Sequence, residues 1–353
     1  MKNDRIERLQ KTLKNPYFTS DTAELKYLAG YNGSSGGLLV TPEYFFFMTD
    51  SRYALQYENI FGKNFVLVQS TIIHTLCDIL KKENILEICV NPLKTTLDFA
   101  ETIQQKINGL KIIHVKNSVT DMRLLKTREE IEFIKEAIKI TEDGFLYILS
   151  VLKEGISEKD VAVELEYSLK RKGADNIAFP LIILFGERSA YPHGVPSPEV
   201  KLKKGDVVLI DMGVVYKNYH SDLTRTLCFG KIPSDFSEVY SVVLEAQQRG
   251  FEAIKPDVKG KQIDRAARDF ISQKGYGDYF GHGLGHGVGL EIHEAPKINP
   301  ETQDTIRAGM VFSNEPGIYL PGKFGIRIED MVVCRKNHAE WLTGLPKDEI
   351  LCL

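Results

Sequence analysis

The feature that most restricts the fold is an internal repeat in the last two-thirds of the chain. Segments 204–211 and 308–315 each contain a glycine followed, six positions later, by a carboxylate that ends an apolar run. Two amphipathic helical patterns joined by a turn precede each segment. Such parallels also arise by chance, but the matched carboxylates favour a duplication. Two copies that face each other would place Asp211 and Glu315 across a shared pseudo-twofold axis.

The first part of the chain has a different pattern, in which short apolar runs alternate with amphipathic helical patterns. Strands are predicted at 37–41, 44–49, 64–69, 86–91 and 110–115, and helices at 70–82 and 95–109. Thr127 stands three residues before Glu130 and predicts a capping box that opens a long helix. Because 353 residues exceed what one core usually organises, two domains are expected. We predict an α+β protein with an α/β domain at 1–121 and a duplicated domain at 122–353.

The composition predicts a packed globular protein. Hydrophobic residues make up 43% of the chain and the net charge is −3, so no broad positive field is available for nucleic acid. The charged N-terminus lacks the apolar core of a secretory signal, and no apolar run approaches the roughly 20 residues that span a bilayer. The five cysteines lack CxxC spacing and lie mostly in strand-like runs. We therefore expect a cytoplasmic protein without nucleic-acid or membrane partners.

Two aspartates flank a predicted hairpin. Residues 207–212 and 223–229 have the β-branched and apolar content of strands. If residues 217–218 form a two-residue turn, Asp211 is the diagonal neighbour of Asp222 on the same face, whereas a slip of one residue would separate them. Asp211 alone would be an ordinary strand-end residue, but it follows a buried-looking run in which an unpaired carboxylate is costly. A positive charge is therefore expected beside it.

Three of the chain's eight histidines lie in a glycine-rich segment at 280–294. His282 and His286 have the spacing of a helical zinc motif, but glycines lie on either side of each and no glutamate follows the first histidine. Glycine permits positive φ and close backbone approach, so we predict a shaped loop that presents His282, His286 and His293 to a cavity. A single histidine is more often structural, whereas this density favours a functional site.

Two glutamates complete the set of candidate residues. Glu315 ends the apolar run of the second copy and precedes a Pro-Gly pair. Strand alternation over 325–333 places Arg327 and Glu329 on one face. A salt-bridged surface pair would be the ordinary explanation, but the apolar neighbours indicate a central strand.

These residues predict a metal site. Four carboxylates with one imidazole suit manganese, cobalt or iron(II), and zinc less distinctively. Acids gathered in this number would repel one another unless at least two cations neutralised them. We therefore predict two divalent ions per chain, manganese before cobalt, iron or zinc, held by Asp211, Asp222, His286, Glu315 and Glu329.

Over its whole length the sequence resembles the pita-bread metallopeptidases, and among them the Xaa-Pro dipeptidases (prolidases) and Xaa-Pro aminopeptidases. Ser51-Arg52-Tyr53 is similar to the N-terminal creatinase-like domain of that branch. The catalytic-domain motifs are His193-Gly, Asp211-Met-Gly, Ser221-Asp222-Leu-Thr-Arg-Thr, His282-Gly-Leu-Gly-His286-Gly, Glu291-Ile-His293-Glu, Asn314-Glu315-Pro-Gly-Ile-Tyr319 and Gly325-Ile-Arg327-Ile-Glu329-Asp. The resemblance implies a homodimer that hydrolyses the Xaa-Pro bond at the N-terminus of dipeptides or short peptides.

The resemblance also implies a role for each candidate. One ion would be held by Asp211, Asp222 and Glu329, and the other by Asp222, His286, Glu315 and Glu329. A water between the ions would ionise near pH 7, and Glu315 would accept its proton. The histidines that would hold the carbonyl, stabilise the tetrahedral intermediate and protonate the proline nitrogen are His193, His282 and His293. The substrate-contacting residues would be His193, His293, Tyr319 and Arg327, and the candidates for a proline pocket are Phe179, Pro180 and Tyr191.

Several other functions are compatible with such a scaffold. A non-catalytic peptide-binding module would not need an intact set of metal ligands, and a creatine-type amidinohydrolase lacks that set. A methionine-type aminopeptidase keeps the ligands but usually has only the catalytic half. The sequence leaves open whether the substrate is a dipeptide or a longer peptide, because that depends on the residues that close the pocket.

Overall fold

A computed structural model describes residues 2–116, 118–232 and 234–353, which form two compact units. One unit ends at Arg123 and the other begins at Leu124. The sequence-based boundary, before Met122, lies close to this division. Within the described ranges, none of the helices has the length and apolarity required to cross a bilayer.

The first unit is an α/β domain. Its elements are α1 (Lys2–Gln10), β1 (Tyr17–Thr19), α2 (Thr22–Ala29), β2 (Gly36–Val40), β3 (Phe45–Thr49), α3 (Ser51–Phe61), β4 (Phe65–Leu67), α4 (Ile72–Lys82), β5 (Glu87–Val90), α5 (Leu97–Lys106), β6 (Lys111–His114) and α6 (Ser118–Leu124). The strand order is β4-β3-β2-β1-β5-β6. Strand β2 is antiparallel to both of its neighbours, and the outer pairs β3–β4 and β5–β6 are parallel.

The predicted strands and helices of this unit are confirmed as β2 to β6, α4 and α5. The alternation of strands and helices did not reveal α1, β1, α2, α3 and α6, although α2 and α3 begin after capping aspartates, Asp21 and Asp50. Helices α4 and α5 bury residues such as Leu76 and Ile103 against Ile88 of the sheet. This packing gives the unit its own hydrophobic core.

The second unit contains the repeat. Its elements are α7 (Arg128–Val151), α8 (Glu158–Arg171), β7 (Asn176–Ile177), β8 (Ile182–Phe185), β9 (Val207–Met212), β10 (Val214–Tyr216), β11 (Tyr219–His220), β12 (Leu223–Cys228), α9 (Phe236–Glu252), α10 (Gly260–Gln273), β13 (Gly285–Gly287), β14 (Glu294–Ile298), β15 (Val311–Asn314), β16 (Gly317–Leu320), β17 (Phe324–Arg327), β18 (Asp330–Cys334) and β19 (Ala339–Trp341). Helix α7 opens with the predicted capping box between Thr127 and Glu130.

The two halves of this unit follow the same plan. Strand β9 lies between β8 and β12, and β15 lies between β13 and β18. Each set of strands packs against its own helix pair, α7–α8 in the first half and α9–α10 in the second. The glycines of the repeat, Gly205 and Gly309, have the same φ of 96°. The central strands β9 and β15 therefore deliver Asp211 and Glu315 from equivalent positions.

Candidate metal centre

The hairpin that carries the two aspartates has the predicted register. Lys217 and Asn218 have φ values of 48° and 72°, as a two-residue type I′ turn requires. The strands on either side keep one register, in which Asp211 lies opposite Thr224. Asp222, two residues before Thr224, is on the same face as Asp211 because side chains alternate along a strand. Both carboxylates are buried.

The two glutamates lie beside a second strand pair. Asn314 of β15 is paired with Asp330 of β18, so Glu315 immediately follows and Glu329 immediately precedes that pair. The single strand predicted over 325–333 is wrong, because β17 pairs with β16 whereas β18 pairs with β15 and β19. The chain changes sheets at Glu329, whose N–H donates to the Thr224 carbonyl. The predicted central position of Glu329 holds, since it is fully buried.

His286 faces this group of acids. Its Nδ1 is 3.2 Å from the Gly287 carbonyl, so Nδ1 carries a proton and Nε2 faces the carboxylates. Nε2 lies 3.2 Å from Glu315 Oε1 and 3.5 Å from Asp222 Oδ2. Ligand atoms of Asp222, His286 and Glu329 all lie within 4.8 Å of one another. The structure therefore gathers three of the five predicted ligands around one point, and the fourth, Glu315, contacts His286 of that group.

The prediction of a loop with positive φ around His286 is wrong in one respect. His286 lies in strand β13, between β14 and β15, and the glycines of the described segment 281–289 all have ordinary φ values. Their role is close approach, because a Cβ at Gly285 would collide with the Ser313 carbonyl. Glycine thus brings His286 within reach of Glu315 by allowing neighbouring backbones to approach.

The cluster holds excess negative charge. Burial and neighbouring carboxylates raise the pKa of Asp222 and of Glu329 well above the usual range. Burial also raises the pKa of Asp211, against the effect of Arg327. At Glu315 and His286 burial is outweighed by their mutual attraction, which lowers the pKa of Glu315 to about 2 and raises that of His286 to about 9. A cation placed among these acids would stabilise them.

Two carboxylate oxygens remain without a partner. Asp211 Oδ1 and Glu329 Oε1 are buried, and no hydrogen-bond donor reaches them from the described residues. Leaving such an acceptor unsatisfied costs about 1–3 kcal/mol, and more when it is charged. Oxygen donors with a single imidazole match the coordination preferences of divalent transition ions. The residues present therefore fit a divalent metal.

Arg327 supplies the positive charge expected beside Asp211. Its Nη2 donates to Asp211 Oδ2 at 2.6 Å, and its Nη1 donates to the Tyr319 hydroxyl at 2.8 Å. Its Nε donates to the Thr224 hydroxyl at 3.0 Å, and that hydroxyl donates to Glu329 Oε2 at 2.7 Å. One guanidinium therefore orients carboxylates from both halves of the repeat.

His282 belongs to the same network. Its Nδ1 is 2.8 Å from the Gly283 carbonyl and therefore carries a proton, because a carbonyl oxygen only accepts. Its Nε2 then accepts from the Tyr319 hydroxyl at 2.8 Å. Burial lowers the pKa of His282, which favours this neutral form. The predicted residues His282, Tyr319 and Arg327 thus form one continuous chain of hydrogen bonds to Asp211.

The other two candidate histidines lie at the exposed side of the centre. The ring centroid of His293 is 4.2 Å from that of His286. His193 is exposed, and the carbonyl of its neighbour Pro192 accepts from Arg327 Nη1 at 3.3 Å. Burial, and after it the neighbouring His286, lowers the pKa of His293. Both rings are accessible to a molecule that enters from solvent.

Several residues that support the centre were not predicted as site residues. Gln247 Nε2 lies within 3.1 Å of the carbonyls of Asn314 and Ile328, the residues that precede the two glutamates. Arg225 Nη1 donates to the Glu329 carbonyl at 2.7 Å, and its Nη2 donates to Asp330 Oδ1 at 2.7 Å. Arg225 lies within a strand whose residues are all buried, and Asp330 begins an apolar strand, which is the signal that could have revealed them.

We expect Arg225→Met to lower the free energy of unfolding by about 3 kcal/mol, because it removes a cationic partner from the buried Asp330. Arg335→Met is the matched control, since Arg335 and its partner Glu340 are each about one-third exposed and such pairs contribute about 0–1 kcal/mol. Urea denaturation in the presence of a chelator measures both without a contribution from metal binding. Equal losses in the two variants would contradict the assigned role of Arg225.

Comparison with known proteins identifies the family. The model of metallopeptidase family M24 matches residues 132–336, and that of the creatinase/prolidase N-terminal domain matches residues 5–125. The chain belongs to metallopeptidase family M24. Membership implies a divalent metal cofactor, in agreement with the acid cluster. The predicted fold class, an N-terminal creatinase-like domain followed by a pita-bread domain, is confirmed.

Relatives within family M24 match over nearly the whole chain. An Xaa-Pro dipeptidase of Pyrococcus furiosus is 37% identical, over 98% of this chain and 99% of its own. The solved structure of an Xaa-Pro dipeptidase from Bacillus anthracis has a TM-score of 0.95 and 36% identity, with complete coverage of both chains. That of an X-Pro aminopeptidase from Thermotoga maritima has a TM-score of 0.91 and 37% identity, covering 98% of this chain and all of the other.

Proposed function

We propose that this chain is a proline-specific metallopeptidase that hydrolyses the Xaa-Pro bond at the N-terminus of dipeptides or short peptides. The observation that carries the proposal is the buried acid cluster facing His286, with its two carboxylate oxygens that lack partners. The names of the Pyrococcus furiosus and Bacillus anthracis relatives support the choice of Xaa-Pro dipeptides. The Thermotoga maritima relative supports activity on longer peptides as the alternative.

We assign the metal-binding role to five residues and propose two ions per chain. The first ion would be held by Asp211, Asp222 and Glu329, and the second by Asp222, His286, Glu315 and Glu329. The number of acids and the raised pKa values of Asp222 and Glu329 support two cations in place of one. Oxygen-rich ligation favours manganese, with cobalt, iron or zinc as alternatives.

Divalent ions in such a site polarise a carbonyl oxygen and lower the pKa of a coordinated water. The Glu315 carboxylate accepts a hydrogen bond from the Ser313 hydroxyl at 3.0 Å and lies at the cluster, where it would accept a proton. His293 and His193 lie at the accessible side, where they would hold the scissile carbonyl and the proline nitrogen. Tyr319 and Arg327 would fix the orientation of Asp211 and contact the substrate.

The proline ring needs an apolar pocket on the accessible side. Tyr191, two residues before His193, is 52% exposed, Pro180 is exposed and Phe179 is half-buried, so each of them offers apolar surface to a ring. We propose these residues as the pocket. We also keep the homodimer as a prediction, to be measured by light scattering.

The proposed function is tested by incubating the enzyme with Ala-Pro, Ala-Pro-Ala and Met-Ala in manganese or cobalt, before and after complete chelation. We expect cleavage of at least one proline substrate, loss of activity on chelation and recovery when manganese is added back. Cleavage of Met-Ala alone would favour a methionine-type aminopeptidase. Binding of the peptides without cleavage would favour a peptide-binding module.

A further inference from the structure

The backbone around His282 is held by an acid–arginine pair on helix α10, in which the acid, Asp264, is buried and Arg268 is partly exposed. Arg268 Nη2 donates to the His282 carbonyl at 2.6 Å, and Nη1 donates to the Phe280 carbonyl at 2.9 Å. Asp264 Oδ1 accepts the N–H of Leu284 at 3.0 Å. The same aspartate accepts two hydrogen bonds from Arg268, at 2.7 and 2.9 Å. Three successive points of the 280–284 segment are therefore fixed to one helix.

The ring of His282 is held as firmly as its backbone. The Arg268 guanidinium lies 4.2 Å from the centre of the Phe280 ring, and that ring meets His282 edge-on at 5.0 Å. On its other side His282 accepts from Tyr319. Contacts on both sides leave the imidazole a single orientation.

The pair itself is anchored in the core. Asp264 is 1% exposed, and its neighbours on α10, Ile263 and Ala267, belong to the hydrophobic core of the second half. A buried carboxylate is tolerated only when its charge is paired and its lone pairs are satisfied. Arg268 and the Leu284 N–H meet both requirements, so the core fixes the position of the segment.

We propose that Arg268, fixed by Asp264, is a positioning residue that acts on the reaction through His282. The proposal rests on the proposed peptidase function and on the catalytic role that the family resemblance implies for His282. Arg268 touches neither the candidate metal ligands nor the accessible side of the site in any of its hydrogen bonds. Its loss is therefore expected to affect turnover while leaving metal affinity intact.

The segment that carries His193 is held by a similar device. Glu158 is fully buried, and its carboxylate accepts the N–H groups of Phe185 and Ser197 at 2.8 and 2.9 Å. Arg188 bonds that carboxylate and donates to the Val195 carbonyl at 2.7 Å. The segments of His282 and His193 are thus each fixed by an acid–arginine pair. The acid of each pair lies on the second helix of its half, Asp264 on α10 and Glu158 on α8.

The test compares Arg268→Met with Arg265→Met. Arg265 lies on the same helix and pairs with Asp269 on the surface, so it matches the ion pair without the contacts to the segment. We expect Arg268→Met to lower kcat for Ala-Pro by about 10–100-fold, the cost of a misplaced catalytic group. KM and the Kd for manganese should change by no more than about threefold. Arg265→Met should match the wild type.

A double-mutant cycle with His282→Ala separates positioning from general destabilisation. If Arg268 acts through His282, the kcat of the double variant should lie within about threefold of the kcat of His282→Ala alone. Additive losses, or a wild-type kcat in Arg268→Met, would overturn the proposal. Arg268→Lys, which keeps the charge beside Asp264 but cannot span both carbonyls, gives the same comparison if the methionine variant does not fold.

Hydrogen exchange gives a readout that does not depend on the substrate. Amides of the 280–284 segment should exchange faster in Arg268→Met than in the wild type or in Arg265→Met. Unchanged protection would overturn the positioning role even if the enzyme cleaves Ala-Pro. If Arg268→Met shows faster exchange but the wild-type enzyme does not cleave Ala-Pro, the proposed substrate is rejected. The role of Arg268 in holding the 280–284 segment is then kept.

Discussion

Glu315→Gln is expected to lower kcat for Ala-Pro by about 10³-fold or more, because an amide cannot accept a proton and general-base catalysis contributes about 10²–10⁴-fold. Glutamine has nearly the shape of glutamate, and it can still accept the hydrogen bond from Ser313. The variant should therefore fold as the wild type does. Steady-state kinetics at saturating manganese, with circular dichroism, measure both properties.

The matched control for this experiment is Glu301→Gln, which changes an exposed glutamate of the same unit. It should retain wild-type kcat. A Glu315→Gln enzyme with full manganese binding and activity within about tenfold of the wild type would remove the proton-accepting role of Glu315.

Asp222→Asn should produce two effects of opposite sign. Manganese affinity should fall by at least about 100-fold, since loss of a ligand should cost no less than the 10–100-fold that follows loss of a supporting residue. In the presence of chelator, the variant should unfold at a higher temperature, by about 2–4 °C for each kcal/mol gained. The reason is that burial and neighbouring carboxylates disfavour the charge of Asp222.

Calorimetric titration with manganese and thermal unfolding in chelator measure the two effects. Asp143→Asn, at an exposed position of α7, is the control and should leave both values unchanged. A variant that is less stable in chelator and binds manganese normally would show that Asp222 is a structural residue.

The sequence predicts those parts of the site that depend on local rules. A two-residue turn at Lys217 and Asn218 was enough to place Asp211 and Asp222 on one face, because side chains alternate along a strand. The repeat, with glycines at equal φ, was enough to relate Asp211 to Glu315.

Other parts depend on contacts between distant segments. The change of sheet at Glu329 follows from the Thr224 carbonyl, more than 100 residues earlier in the chain. Glycine can serve either for positive φ or for close backbone approach, and the glycines beside His286 serve the second purpose. Only the position of the Ser313 carbonyl, a distant part of the chain, shows which of the two applies. Local pattern alone also gives no indication that Arg268 reaches the carbonyl of His282.

The most direct test of the central claim is the rate of Ala-Pro hydrolysis as a function of manganese bound per chain, starting from chelator-stripped enzyme. Activity should be absent at the start and should rise until two ions are bound. The reason is that, in the proposed site, Asp222 and Glu329 would hold both ions, so the two ions act together. Full turnover by the stripped enzyme would contradict the account, as would manganese binding that leaves Ala-Pro intact.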